Sequence, residues 1–345
     1  MSKLKLPKDY RSPLDVEATE KAIKKLKDYF EVALADELCL QRVTAPVIVQ
    51  SGTGINDELN GFERPVSFPI KDMDEQRAEV VHSLAKWKRM KLGEMKLAPG
   101  RGIYTDMNAL RPDEELSNIH SIYVDQWDWE KVISKDDRTE GFLKKTAAQI
   151  FSVFKRTEEH VIKEHGLLTK ILPDDLMFIH AEELLQRYPG LTPKQREDRI
   201  TQEYKAVFII GIGGELSNGE AHDGRAADYD DWSTESSPGC PGLNGDLLFW
   251  NPVLEQAFEV SSMGIRVDQK ALEKQLKLKG EEEKKSLLFH RMLLDGKLPL
   301  TIGGGIGQSR TCMLILQKAH IGEVQSSIWP QEMKESCDVH GIQLL

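Results

Sequence analysis

Glycine fills four of the five positions in Gly303-Gly304-Gly305-Ile306-Gly307, and the apolar run Thr311-Cys312-Met313-Leu314-Ile315-Leu316 follows within a few residues. A backbone without Cβ atoms can lie very close to a ligand or a packed neighbour, so few structural settings suit such a run. The apolar stretch reads as a helix start with Arg310 in its first turn, an unusual place for a cation at the positive end of a helix dipole. Two readings stay open. An anion over the turn would meet exposed N–H groups and a guanidinium fork. Otherwise the stretch is a tight strand-to-helix turn with a solvated arginine. Nucleotide-loop signatures do not fit, because G-x-G-x-x-G from Gly305 needs glycine where Arg310 stands, and no Gly-Lys-Ser/Thr exists for a P-loop.

A chain of 345 residues, 40% of them hydrophobic, can bury a full core as one large domain or two modest ones. Its net charge of -10 argues against nucleic-acid binding, which needs a basic surface. Cys39, Cys240, Cys312 and Cys337 show neither C-x-x-C spacing nor a disulfide framework, so reduced thiols are expected. With no apolar N-terminal leader and no 18-residue apolar run, the expectation is a cytoplasmic protein without a membrane partner.

Apolar residues at Ile23, Leu26, Phe30, Leu34 and Leu38 predict a helix over 15–40. Alternation at Val43, Ala45, Val47 and Val49 predicts a strand that Pro46 makes irregular. A polar loop with Asp57, Glu58 and Asn60 follows, then strands over 66–70 and 78–82 and a cationic helix over 83–90 carrying Lys86, Lys88 and Arg89. Further strands are predicted at 103–110, 122–130, 206–210, 246–250 and 258–260, with a long helix through Leu143 and Phe154 and a solvated one over 269–285. Strands and helices do not alternate regularly, which favours α+β with an antiparallel or mixed sheet.

Three polar clusters adjoin these strands. Arg111-x-x-Glu114 with Gln126 and Asp128 would meet across a hairpin, either as an arginine clamp for phosphate or as a surface ion-pair network. Tyr123, Trp127 and Trp129 beside them read first as core. His222 to Trp232 carries four aspartates without the spacing of a calcium loop, so a plain acidic loop is the simpler reading. Glu259 and Arg266, seven apart, need a bulge near Gly264 to face one ligand.

These strings in this order resemble one family: Asp57 in its glycine-flanked loop, His82-Ser83-Leu84-Ala85-Lys86-Trp87-Lys88-Arg89, Ala109 to Glu114, Val124 to Glu130, Asp228-Tyr229-Asp230-Asp231-Trp232, Ser261 to Arg266 and Gly303 to Arg310. The family is asparagine synthetase A, the ammonia-dependent aspartate–ammonia ligases, and the resemblance runs from about Phe30 to Trp329. It implies an antiparallel sheet flanked by helices, like a class II aminoacyl-tRNA synthetase catalytic domain of the aspartyl type. It also implies a homodimer built on the helix and strand that end at Pro46. One catalytic domain would span 1–345, with 1–12 a flexible extension.

The implied reaction joins L-aspartate and ammonia to give asparagine through a β-aspartyl-adenylate, with ATP and Mg²⁺, releasing AMP and pyrophosphate. The resemblance assigns catalysis to Asp57, Arg111 and Gln126, with Asp57 taking the proton of ammonium. It assigns aspartate binding to Ser83, Lys88, Asp128, Asp230, Ser262 and Arg266. ATP falls to Arg111, Glu114, Glu259, Gly305, Gly307 and Arg310, and the metal to Glu259. The alternative is a paralogue of a synthetase domain with a tRNA-related or ligand-binding role. The acidic net charge and the occupied polar positions weigh against it.

Overall fold

The computed structural model describes residues 4–57 and 63–345. Its organising element is an eight-stranded sheet of β1 (Leu40–Arg42), β2 (Gly102–Leu110), β3 (Tyr123–Val132), β4 (Met177–His180), β5 (Ala206–Ile210), β6 (Asn244–Asn251), β7 (Gln256–Ile265) and β8 (Thr301–Gly307). The spatial order is β1-β2-β3-β8-β7-β6-β5-β4. Neighbours from β2 to β5 pair antiparallel. The edge strands β1 and β4 instead run parallel to β2 and β5. The fold is therefore α+β as expected, with the sheet mixed at its edges. A parallel pair needs a long crossover, and the chain supplies one before each: a helix and side sheet between β1 and β2, two helices between β4 and β5.

Four helices matter for the site: α1 (Val16–Leu38), α2 (Ala85–Met95), α3 (Glu140–Glu164) and α4 (Gln308–Ile315). Helix α1 starts where the Asp15 carboxylate accepts from Ala18 N at 2.8 Å. It buries Ala22, Leu26, Phe30, Leu34 and Leu38, one stripe at a spacing of four. Phe30 stacks on Trp127 with ring centroids 4.3 Å apart and meets Phe154 of α3 edge-on. Trp127 and Trp129 are fully buried and are core as expected, whereas Tyr123, at the start of β3, is only partly buried and lines the cavity described below. One face of the sheet is thus closed by α1 and α3, and Gln126, Asp128 and Glu130, which alternate with the tryptophans, point the other way.

Several expectations change. The run 41–49 is two short strands in different sheets: β1, and Ile48–Gln50, which pairs with Gln76–Val80 beside Ser67–Ile70. Pro46 separates them, because it has no N–H to carry a ladder onward. The 269–285 segment is a helix only to Lys279, and it buries Ala271, Leu272, Gln275 and Leu276. The glycine run is neither a turn nor a loop but strand β8 in the middle of the sheet. From Leu4 onward, the segment expected as a flexible extension lies against the body. Lys5 N donates to Asn118 Oδ1 at 2.7 Å, Tyr10 Oη to Glu323 Oε2 at 3.0 Å, and Lys318 Nζ to Ser12 Oγ at 2.6 Å. Among the described residues no helix is long and apolar enough to cross a membrane.

Candidate functional site

Alternation along β3 sends Trp127 and Trp129 into the core and Gln126, Asp128 and Glu130 to the opposite face. Strand β8 lies next to them, pairing Gly303 with Glu130, Gly305 with Asp128 and Gly307 with Gln126. A Cβ on Gly303 would overlap the Glu130 carboxylate, and one on Gly305 the Gln126 amide. The glycines therefore let long polar side chains of β3 lie across the neighbouring strand. That is the close approach the sequence demanded, made by the protein's own side chains. The helix start is answered internally too, since Ser309 N donates to Asp125 Oδ1 at 3.0 Å and Asp125 also pairs with Lys27.

Above this face opens a cavity of about 710 Å³. Its lining includes Ser83, Arg111, Glu114, Gln126, Asp128, Asp230, Glu259, Ser262, Arg266, Gly305, Gly307 and Arg310, which are the predicted residues apart from Asp57 and Lys88. Glu259 and Arg266 reach the same cavity through a bulge, as expected, but it sits at Val260. There Ser261 pairs with Leu247 and Glu259 with Leu248, so one residue is extra. Arg310 Nη1 donates to Glu259 O at 3.0 Å and lies 3.8 Å from its carboxylate. Nearby, burial lowers the pKa of Arg111 and raises that of Glu114. Arg111 donates once, to His82 O at 3.3 Å, and its buried Nε has no hydrogen-bond partner among the described residues. An unsatisfied guanidinium in a cavity wall suits an anionic ligand.

Towards the Gly303 end the floor is ionic. Arg266 donates to Glu130 at 2.9 and 3.1 Å and pairs with Asp230. Burial opposes the charge on both Arg266 and Glu130, yet their mutual attraction wins, raising the arginine and lowering the acid. The helix expected to be simply cationic buries the three cations named for it, Lys86, Lys88 and Arg89, each at most 2% exposed, while Lys91 stays partly exposed beside Glu94. Lys88 bonds Asp128, Trp129 O at 3.0 Å and Gly304 O at 3.5 Å, so it lies beneath the floor and bears on the cavity through Asp128. Asp57 is also buried. Ser83, which lines the cavity, donates to its Oδ2, and Lys86 Nζ lies 3.4 Å from its Oδ1. Burial, with Asp228 and Asp128 nearby, outweighs Lys86 and pushes the Asp57 carboxyl up to about 6. Glu58, the other acid of that loop, lies outside the described residues.

The sequence left Arg225 without a role, although it lines the cavity, bonds Asp246 and donates to Ser262 Oγ at 2.7 Å. The signal was there, as a lone cation inside the aspartate-rich run 222–232. Asp246 opens the strand predicted over 246–250. It lies in register with Ser262, which is itself opposite Gly305 and so in line with Asp128.

The family model of aspartate-ammonia ligase matches residues 17–341. The chain is 56% identical to the aspartate–ammonia ligase of Bacteroides thetaiotaomicron over 345 residues, which is all of both chains. To that of Clostridium tetani it is 57% identical over 343 residues, 99% of this chain and 98% of the relative. Its fold is similar to the asparaginyl-tRNA synthetase of Pyrococcus horikoshii complexed with asparaginyl-adenylate. The TM-score is 0.66 at 16% identity, over 90% of this chain and 70% of that one.

Proposed function

The chain belongs to the aspartate–ammonia ligase family, and on that premise we propose that it makes L-asparagine from L-aspartate, ammonia and ATP. The route is a β-aspartyl-adenylate, with pyrophosphate leaving first and AMP second. The observation that carries this reading is one cavity with two different ends. Arg111 and Arg310 stand at the Gly307 end, and Arg266, Asp230 and Asp128 at the Gly303 end. The first suits a polyphosphate and the second an amino acid with a charge of each sign.

Aspartate would place a carboxylate against Arg266 and its amino group against Asp230 and Ser262, leaving its β-carboxylate near Gln126. Arg111, held by burial rather than by partners, faces the α-phosphate and stabilises the charge that gathers as that carboxylate attacks phosphorus. Arg310 and Glu114 meet the rest of the nucleotide. Mg²⁺ fits as a companion of ATP. Among the described residues no group of three or more His, Cys, Asp or Glu side chains could hold a metal, and Mg²⁺ characteristically takes one or two carboxylates plus phosphate and water oxygens. Glu259, at the cavity wall beside Arg310, is the carboxylate that would hold it, and the bound ion would offset phosphate charge.

In the second half-reaction ammonium gives a proton to Asp57, directly or through Ser83, and ammonia attacks the β-carbonyl with Gln126 orienting it. AMP departs as the tetrahedral adduct collapses, and the attacking nitrogen sheds its second proton to water to leave the neutral amide. A carboxyl poised near 6 is a serviceable base at neutral pH. The exposed side chains of Val47, Ile48 and Phe68 near the α1–β1 element support a homodimer through that region. The test is direct: supply aspartate, ATP, Mg²⁺ and ammonium and measure AMP and asparagine. AMP without asparagine, or neither product, overturns the reading.

A further inference from the structure

Behind Asp57 lies a chain of buried ionisable groups for which the reaction above has no use. Lys86 Nζ is 3.4 Å from Asp57 Oδ1 and donates to Asp228 Oδ2 at 2.9 Å. His290 Nε2 meets the same Asp228 oxygen at 2.9 Å. The exposure of Asp57, Lys86, Asp228 and His290 is at most 2%. Three separate elements contribute: Lys86 the first turn of α2, Asp228 the acidic run, and His290 the short helix Leu288–Leu294. The Asp57 loop leans on that last helix, since a Cβ on Gly54 would sit 2.9 Å from Leu287 Cβ and 3.1 Å from His290 Nδ1.

We propose that Lys86, anchored by Asp228 and His290, is a positioning residue that sets the ionisation of Asp57 and hence the pH range in which the enzyme uses ammonium. This rests on Asp57 being the ammonium base. No group in the chain touches the cavity, so its effect reaches the reaction only through Asp57. Burying a carboxylate, a lysine and a second carboxylate together is costly unless they compensate one another. Lys86 stands between the two acids. Burial works against ionised Asp228, but Lys86 and His290 prevail and hold its carboxyl low. Asp228 thus remains an anion and takes up part of the charge of Lys86. Lys86 also acts on Asp57, 3.4 Å away.

Among the described residues, the other charged or titratable groups facing Asp57 are Asp128 of β3 and Arg266 at the end of β7, with Tyr229 beside Asp228 and the His82 ring on the Asp57 carbonyl. Asp128 is compensated by Lys88, and Arg266 by Glu130 and Asp230. Among the described residues, Lys86 is therefore the cation whose charge Asp57 feels most, and Asp228 the strongest opposing anion.

The signs separate the proposal from a merely structural role. Lys86→Met removes the cation that favours ionised Asp57, so the acid limb of kcat/KM for ammonium should move up by about 1–3 pH units. Asp228→Asn removes a neighbouring anion and releases Lys86 towards Asp57, so the limb should move down by about 1 unit. Lys86→Arg should keep the limb near its wild-type place. The experiment measures ammonium-dependent asparagine formation against pH in each variant, beside the pH profile of aspartate-dependent pyrophosphate exchange. Exchange reports the first half-reaction, so its profile should not move. Limbs that stay put, or that move the same way in Lys86→Met and Asp228→Asn, overturn the proposal. Each variant decides by its own sign, so one that fails to fold leaves the other to decide. A wild-type protein that performs exchange but makes no asparagine defeats the ammonium-base reading instead.

Discussion

Gly303→Ala tests whether the glycine run exists to let β3 side chains cross β8. The new methyl would overlap the Glu130 carboxylate and lie 2.7 Å from Arg266 Nη2. Neither side chain has room to withdraw, since Glu130 is fully buried and Arg266 is 3% exposed. Displacing the acid breaks bonds of 2.9 and 3.1 Å between two buried charges. Breaking a buried pair costs about 3–5 kcal/mol when one partner is deleted, and overpacking alone costs about 1–3 kcal/mol. Here the partner is shifted rather than lost, so we expect about 3 kcal/mol. Gly141→Ala in the first turn of α3 is the control. Its Cβ would meet only Thr139 Oγ1, at 3.9 Å, and alanine there should stabilise by about 0.5–1 kcal/mol. Urea unfolding at unchanged m-value reads both, and the KM for aspartate should rise only in Gly303→Ala. A Gly303→Ala protein within about 1 kcal/mol of wild type, with its aspartate KM intact, refutes the reasoning.

Arg111→Ala should lower aspartate-dependent pyrophosphate exchange by about 10²–10³-fold while the protein stays folded, because among the described residues the guanidinium makes one long hydrogen bond; circular dichroism beside the exchange assay checks both. Asp57→Asn should leave exchange in place and cut asparagine formation steeply, with added ammonium restoring it only in part. The same substitution should stabilise the fold at pH 8. An acid whose folded pKa is raised loses stability as pH climbs from about 4 through about 6, here up to about 3 kcal/mol. Urea curves at pH 8 and pH 4 should therefore diverge and converge respectively, and equal stability at both would count against a buried, strained Asp57. Sedimentation at micromolar concentration should show a dimer, and a monomer alone would remove the proposed α1–β1 interface.

Elements set by local rules were legible in the sequence. The stripe of α1 and the strand over 122–130 depend only on local pattern, and both appear as read, with Trp127 and Trp129 buried but Tyr123 only partly so. What failed depended on a partner distant in sequence. The glycines of β8 looked like a turn because the side chains that need their space, Glu130 and Gln126, lie more than 170 residues earlier. The cations of α2 looked like an ordinary charged helix because Asp128, Asp228 and Glu130, which make their burial tolerable, belong to other elements. Arg225 was overlooked for the same reason, its partner Asp246 sitting inside a strand that reads as apolar. Such contacts leave no period, so their trace was the resemblance rather than the pattern.

The balance of these charges also bears on how the site works. Asp57, Asp128, Glu130, Asp228, Asp230 and Asp246 are buried at or behind the floor, facing the cations Lys86, Lys88, Arg225 and Arg266. The carboxylates are in excess, and the protein cannot keep every one of them ionised in so dry a region. Burial accordingly pushes up Asp57, Asp230 and Asp246 in spite of their cationic neighbours, while Asp228, beside Lys86 and His290, and Glu130, beside Arg266 and Lys88, are held down. A cavity in that state favours ligands that bring positive charge. The amino group of aspartate beside Asp230 and an ammonium ion near Asp57 would each let a strained acid ionise, so part of their binding energy would come from relieving the empty site. Binding of either should then release a proton from the protein, for ammonium most at or below about pH 6 and less the more alkaline the buffer. Calorimetry of aspartate and of ammonium in buffers of different ionisation enthalpy measures that release, and proton uptake in its place would show that the floor's excess charge is not what draws them.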